Sequence, residues 1–372
     1  MIPSDGTVEM LRIGFDSEED RANYFKNRIP INKQKSRILA RARKRAKQET
    51  CYICNQSCSS FCNSHSVPQF CLKRIAVDGK VYASGIQYAY PILGDDSGVK
   101  EAGTFHLICR ECDSKLFQEY EDPSAYSSRP TGKMMAQIVM KNYLLMISKR
   151  LNERAIYQIV SEDFENGYKF AKHQLEIVNV DLAAYQSAFK RAKLAVAGDH
   201  SSWYYLCYYK QLDYVVPYAF QGSVAMVSDF DDNVINDIYN LSPTYRAEEI
   251  HIAVFPLEKT SVVMLIIDSR DKRYRKFYQA LNKLPLDEQL AAINYIIFSY
   301  SENVFISKNI STDVLDNEYF LDACQKCSTA ILKYPLGNKL NAAVRNFSLS
   351  KRNEVPNLLN RQYALSIKTT NI

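Results

Sequence analysis

Residues 51–70 read CYICNQSCSSFCNSHSVPQF, and residues 109–122 read CRECDSKLFQEYED. Each stretch opens on a Cys-x2-Cys pair, Cys51/Cys54 and Cys109/Cys112. A gap of two residues lets both sulfurs of a pair reach one ion from a single tight turn. Two such pairs supply the four thiolates of a closed, structural Zn²⁺ site. Cys58 and Cys62 are more loosely spaced and could replace the first pair, while Cys71 reads as a packed side chain. The chain opens MIPSDGTVEM, with no basic start followed by an apolar stretch, so no export signal is read. The expected compartment is therefore the reducing cytoplasm, where thiols bind metal rather than pair as disulfides.

The segment just upstream is strongly charged. Residues 1–20 carry six acidic side chains against Arg12 alone. Residues 31–50 carry Lys33, Lys35, Arg37, Arg41, Arg43, Lys44, Arg45 and Lys47 against Glu49, a segment charge of +7. The whole chain of 372 residues has a net charge of +6, so everything outside that segment sums to −1. The basic character belongs to one element. Ala40, Ala42 and Ala46 between the charges favour a helix. A basic helix beside a zinc knuckle is expected to lie on nucleic-acid phosphates, and a solvated helix is the plainer alternative.

Between the knuckles come SHSVP (residues 64–68), then RIAV-DG-KVYA, expected to form a hairpin on Asp78-Gly79, then a loop-like stretch over 84–104. Thr104–Ile108 reads as a strand, and DSKLFQEYE as a short helix. In this order the chain resembles the HNH endonuclease group, the ββα-metal nucleases built on a zinc treble clef. The resemblance is to the bacterial and phage branch with the pattern C-x2-C, SHxxP, C-x2-C-D, and it covers about residues 51–122. It implies His65 as general base and Asp113 as ligand of a catalytic Mg²⁺ or Mn²⁺. His106 stands as a substitute for the family's intervening Asn. A base beside a hard cation can activate water while the cation neutralises charge on the scissile phosphate. Ser64 stands where the family has an acidic residue or His. The plainer roles are a backbone-bonded or zinc-binding His65 and an Asp113 that stabilises the start of a helix. Glu119, Glu121 and Asp122 read as a solvated helix end.

Farther on, helices are expected over 131–160, over 163–177, and from Asp181 to Gly198. Residues 203–267 turn to β-branched and aromatic runs (WYYLCYY, DYVVPYAF, IHIAVFP, SVVMLII), which predict an antiparallel sheet. The tyrosines of 204–218 read as core, because Lys210 is the one basic residue among them. Amphipathic helices are expected over 272–284 and 286–300. CQKC (Cys324, Cys327) falls inside a helix over 318–332, and the last 25 residues read as a loose tail.

The resulting expectation is an α+β protein. Its segments are an acidic arm and basic helix (1–50), an HNH-like zinc module (51–125), a helical segment (126–200), an α+β domain with an antiparallel sheet (201–310), and a C-terminal helix and tail (311–372). The apolar fraction of 47% and charged fraction of 24% suit a packed globule. The best candidate for a span, Val262–Ile267, is far below the roughly 20 residues that a membrane crossing needs. Two functions are expected. One is a metal-dependent nuclease acting on DNA, for which the resemblance implies bacterial or phage defence or mobile-element DNA processing. The other is a non-catalytic zinc module that binds nucleic acid or, through the α+β body, a protein partner.

Overall fold

The computed structural model describes residues 18–83, 96–163, 168–198, 201–242, 244–332 and 339–366. Most of the expected acidic arm and the greater part of the 84–104 loop lie outside these residues. The architecture is α+β with antiparallel sheets. A seven-stranded sheet runs in the order β3 (Asp96–Gly98), β2 (Lys80–Ala83), β9 (Val304–Ile306), β6 (Tyr218–Val224), β7 (Ile250–Pro256), β8 (Ser261–Asp268) and β5 (Tyr204–Leu212).

The central strands carry apolar side chains on both faces. On one face Ala253, Phe255, Val262, Met264, Ile266 and Phe305 join the core built by α4 (Gly132–Asp163) and α5 (Tyr168–Ala197). On the other, Ile252, Val254, Val263, Leu265 and Ile267 meet α7 (Leu286–Tyr300) and α6 (Arg275–Leu281). Successive residues of a strand point to opposite faces. A strand covered on both sides therefore reads as a continuous apolar run, as in IHIAVFP and SVVMLIID, where every residue is buried.

The cysteine-rich segment is not separate from this sheet. Asp78 (φ 51°) and Gly79 (φ 72°) both take positive φ, as a two-residue primed turn requires. However, RIAV is not the strand before it. Gln69–Ile75 forms the helix α2 behind Pro68, because Cys71, Leu72 and Ile75 fall on one buried helical face. Strand β2 instead pairs with β3 and, across more than 200 residues of sequence, with β9 through Tyr82↔Ile306 and Ala83↔Phe305. Gly103 sits at this junction with φ +66°, and any Cβ there would collide with the Phe305 ring and Ser66 Oγ. Ser66 Oγ accepts from Asn303 Nδ2 at 3.0 Å, and Arg74 Nε donates to Leu257 O at 3.0 Å.

Three other expectations are corrected. The helices expected on either side of Asp181 are one helix, α5, and Asp181 pairs with Arg150 of α4 at 2.9 Å instead of capping. The C-terminal stretch up to residue 366 is not loose, since Leu349, Val355, Leu358 and Leu359 are buried against α7 and its neighbours. The basic element begins earlier, as α1 (Glu18–Ala46), and packs Ile38 and Ala42 against Ile156, Ile159 and Val160 of α4. CQKC does lie in a helix, α9 (Glu318–Leu332), which follows the short α8 (Thr312–Leu315), although the Cys327 side chain is outside the described residues.

Candidate metal centre and the ammonium beside it

The first knuckle closes on itself. Asn55 takes φ 59°, its N–H donates to Cys51 O (2.8 Å), and Cys51 N–H donates to Gln56 O (2.9 Å). The second knuckle starts α3 (Arg110–Leu116), with Cys109 as its cap accepting from the Cys112 N–H. Tyr52 N–H to Leu107 O (3.0 Å) and Cys62 N–H to Ile108 O (3.1 Å) hold the two segments side by side. The sulfurs of Cys51, Cys54, Cys109 and Cys112 consequently lie within 4.8 Å of one another. Four thiolates on one Zn²⁺ at about 2.3 Å sit about 3.8 Å apart, so the set fits a tetrahedral ion.

The electrostatics also suit a cation. Burial alone would raise the Cys51 thiol. N–H donors from Cys109, Cys54 and Ile53 outweigh it and bring the thiol down to about 7. Burial and the neighbouring thiols push Cys112 the other way. Thiolates crowded like this repel one another until a metal neutralises them. Cys58 and Cys62 stay outside the four-sulfur set. Cys62 donates to Ile108 O (3.3 Å) and is pushed up to about 12 by burial and the Asp113 charge. Cys71 is fully buried, as expected.

Next to this centre, β1 (Ser64–His65) pairs with β4 (Thr104–Phe105), and α3 follows after Cys109. Ser64 and Asp113 are brought together, with Ser64 Oγ donating to Asp113 Oδ1 at 2.7 Å. Between them lies a residue that the sequence reading missed. Lys141 of α4, fully buried, places its Nζ 2.7 Å from Asp113 Oδ1, 2.8 Å from Ser64 Oγ and 3.1 Å from Glu121 Oε1. Its ammonium also lies over the Phe117 ring at 3.9 Å. Burial acts to raise Asp113, but the Lys141 charge and hydrogen bond hold it below the ordinary carboxylate value. The signal was legible in principle: MMAQIVMKNYLLMI is a buried helical run interrupted by Gln137, Lys141 and Asn142. A charge in such a run requires a partner.

His65 is half-buried, and its Nε2 lies 3.0 Å from Val99 O. A carbonyl only accepts, so Nε2 carries the proton and Nδ1 the lone pair of the neutral ring. Burial, with Lys141 adding to it, lowers the His65 pKa, although the Val99 carbonyl opposes the shift. His106 is exposed, and its Nε2 meets Asn63 Oδ1 at 2.8 Å. Among the expected solvated carboxylates, Glu119 pairs with Lys133 and Asp122 caps the turn at Ser124, while Glu121 faces Lys141.

The basic helix divides by face. Lys35 lies on the packed side and is half-buried. Arg41 pairs with Asp163, and Arg45 makes a two-pronged contact with Glu162 at 2.9 and 2.8 Å, both at the C-terminal end of α4. Lys33, Arg37, Arg43, Lys44 and Lys47 are exposed, mostly on the face turned away from α4. Tyr204, Tyr208 and Tyr218 are buried, in keeping with a core role for the tyrosine-rich strands.

Protein-family models, curated proteins and solved structures contain no match to the chain. No helix among the described residues is long and apolar enough to cross a membrane.

Proposed function

We propose that the chain is a zinc-organised nucleic-acid-binding protein, in which an HNH-like module contacts the phosphate backbone without hydrolysing it. The observation that carries this reading is Lys141. Its ammonium lies against Ser64 and Asp113, the positions that the HNH resemblance would turn toward a divalent cation, and against the nearby Glu121. An ammonium offers one charge and no open coordination positions. It cannot bind a phosphate oxygen and a water together, as Mg²⁺ in a nuclease does. In this reading Zn²⁺ on Cys51, Cys54, Cys109 and Cys112 is structural. The exposed face of α1 supplies the phosphate contacts through Lys33, Arg37, Arg43, Lys44 and Lys47. The test is a DNA-binding titration over a salt series beside a cleavage assay with Mg²⁺ or Mn²⁺. Salt-sensitive binding without cleavage is the expected result.

The second reading, hydrolysis of DNA phosphodiester bonds, has one observation in its favour. The β1–β4 ladder and the start of α3 put His65 and Asp113 on adjoining elements. There His65 would be the base and Asp113 the ligand of Mg²⁺ or Mn²⁺, with Lys141 displaced. Divalent-dependent cleavage by the wild type that disappears in His65→Ala would establish this reading and overturn the first.

A further inference from the structure

Far along the chain from the four-cysteine centre, a cavity of about 330 Å³ opens between α7, α9 and the 349–355 segment. That volume lies at the lower end of the range of small-molecule sites. Tyr295 and Lys326 form its buried part. Lys326 is 3% exposed, and its Nζ donates to Tyr295 Oη at 2.6 Å. Its nearest acidic partner, Asp322, is 3.5 Å away on a side chain that is 67% exposed, so the pair is loose and wet. The remaining charged lining comes from Lys351, Glu318 and Glu354.

Both signs of charge therefore line one small space. A simple anion attracted to Lys326 and Lys351 meets three carboxylates, and a simple cation attracted to those carboxylates meets two ammonium groups. A molecule carrying both charges a few bonds apart satisfies both sets. Burial lowers the Lys326 pKa, and the nearby Lys351 adds to this against the pull of Asp322 and Glu354. An anionic group seated beside Lys326 would relieve that cost. We propose that this cavity binds a small zwitterion of the free amino-acid class, with its carboxylate toward Lys326, Tyr295 and Lys351 and its ammonium toward Glu318, Asp322 and Glu354. The exposed Tyr319 ring at the lining leaves room for a side chain to lie against it.

The experiment is calorimetric or NMR titration of the full chain with the common amino acids, L-glutamine first, and with acetate and ethylamine as single-charge halves. Saturable binding of one amino acid per chain is expected, weakened at least about tenfold in Lys326→Met and also weakened in the surface variants Glu354→Gln and Lys351→Met. If Lys326→Met does not fold, the two surface variants decide. No saturable binding of any amino acid at millimolar concentration overturns the proposal. So does acetate or ethylamine binding as tightly as the amino acid, or affinity unchanged in the variants that fold.

Discussion

Two places within the first 141 residues are suited to a positive charge, and they would obtain it differently. At Cys51, Cys54, Cys109 and Cys112 four sulfurs converge with no side-chain cation among them, a donor set suited to a metal. At Ser64, Asp113 and Glu121 the cation is covalently part of the protein, the ammonium of Lys141. The first seat brings two neighbouring loops together, and its donor set calls for an ion from outside. The second ties the same module to the long helix α4 and depends on nothing but folding. A metal site can be emptied and refilled, whereas a lysine site can be opened only by mutation.

The largest effect should come from the metal seat. Cys109→Ser is expected to lose bound Zn²⁺, measured as metal per chain, and with it the cooperative melting of the 51–122 region. Binding free energies of structural zinc are on the order of 10 kcal/mol. Full metal content in this variant would show that the ligand set is wrong. For the lysine seat, Lys141→Met leaves Asp113 and Glu121 without a cation and should cost about 3 kcal/mol in denaturant unfolding. Because the carboxylates are then unpaired, adding Asp113→Asn should recover part of that loss. A single variant as stable as wild type would remove Lys141 from its place in the comparison.

Of similar or slightly smaller size is Gly103→Ala at the joint between module and sheet. A positive φ combined with the clash at Phe305 should cost about 2–3 kcal/mol. If this variant melts only the zinc segment and leaves the rest intact, the two regions are less coupled than β2–β9 pairing implies. Acidity separates them further. Burial raises Glu249 to about 7, so its stabilising contribution is complete below about 4.5 and disappears as pH rises through about 7. Asp113, held low by Lys141, contributes above its ordinary value and loses that contribution as pH falls through its lowered one. Glu249→Gln should therefore flatten the neutral limb of the stability profile and Asp113→Asn the acidic limb, both read from melting temperature against pH.

The smallest effect on stability belongs to α1. Charge reversal at Arg37, Lys44 and Lys47 should change stability by less than about 0.5 kcal/mol. The same change should reduce the salt slope of DNA binding by about one for each phosphate the helix no longer neutralises. Reversing Arg41 and Arg45 should act mainly on their pairing with Asp163 and Glu162, exposed pairs that contribute little to stability. Equal effects on DNA binding from both sets would mean that the pairing with α4 does not divide the helix.

The metal seat was readable from sequence because its information is local. A knuckle is four residues long, and two knuckles announce one ion. Strands β7 and β8 were readable for the same reason, as short apolar runs between breakers. The lysine seat depends on residues 64, 113, 121 and 141 meeting in space, and nothing in SHSVP or CRECD specifies α4. RIAV failed because a β-branched run beside an Asp-Gly turn suggests a strand, while burial of Cys71, Leu72 and Ile75 requires a helix. The break expected at Asp181 failed because a good capping residue found an arginine instead. Arg41 and Arg45 were counted as phosphate ligands from charge alone, which cannot show that Glu162 and Asp163 lie opposite.

The pairing of β2 with β9 also bears on the order in which the chain can be assembled. Tyr82 and Ala83 emerge from the ribosome more than 200 residues before their partners Ile306 and Phe305. At a translation rate of about 5–20 residues per second, that interval is tens of seconds. Throughout it β2 presents backbone donors and acceptors on the side that β9 will later occupy. Such an unpaired edge invites pairing with another nascent chain. Truncations that stop before residue 304 should therefore aggregate through the zinc segment, even though every cysteine ligand is already in place.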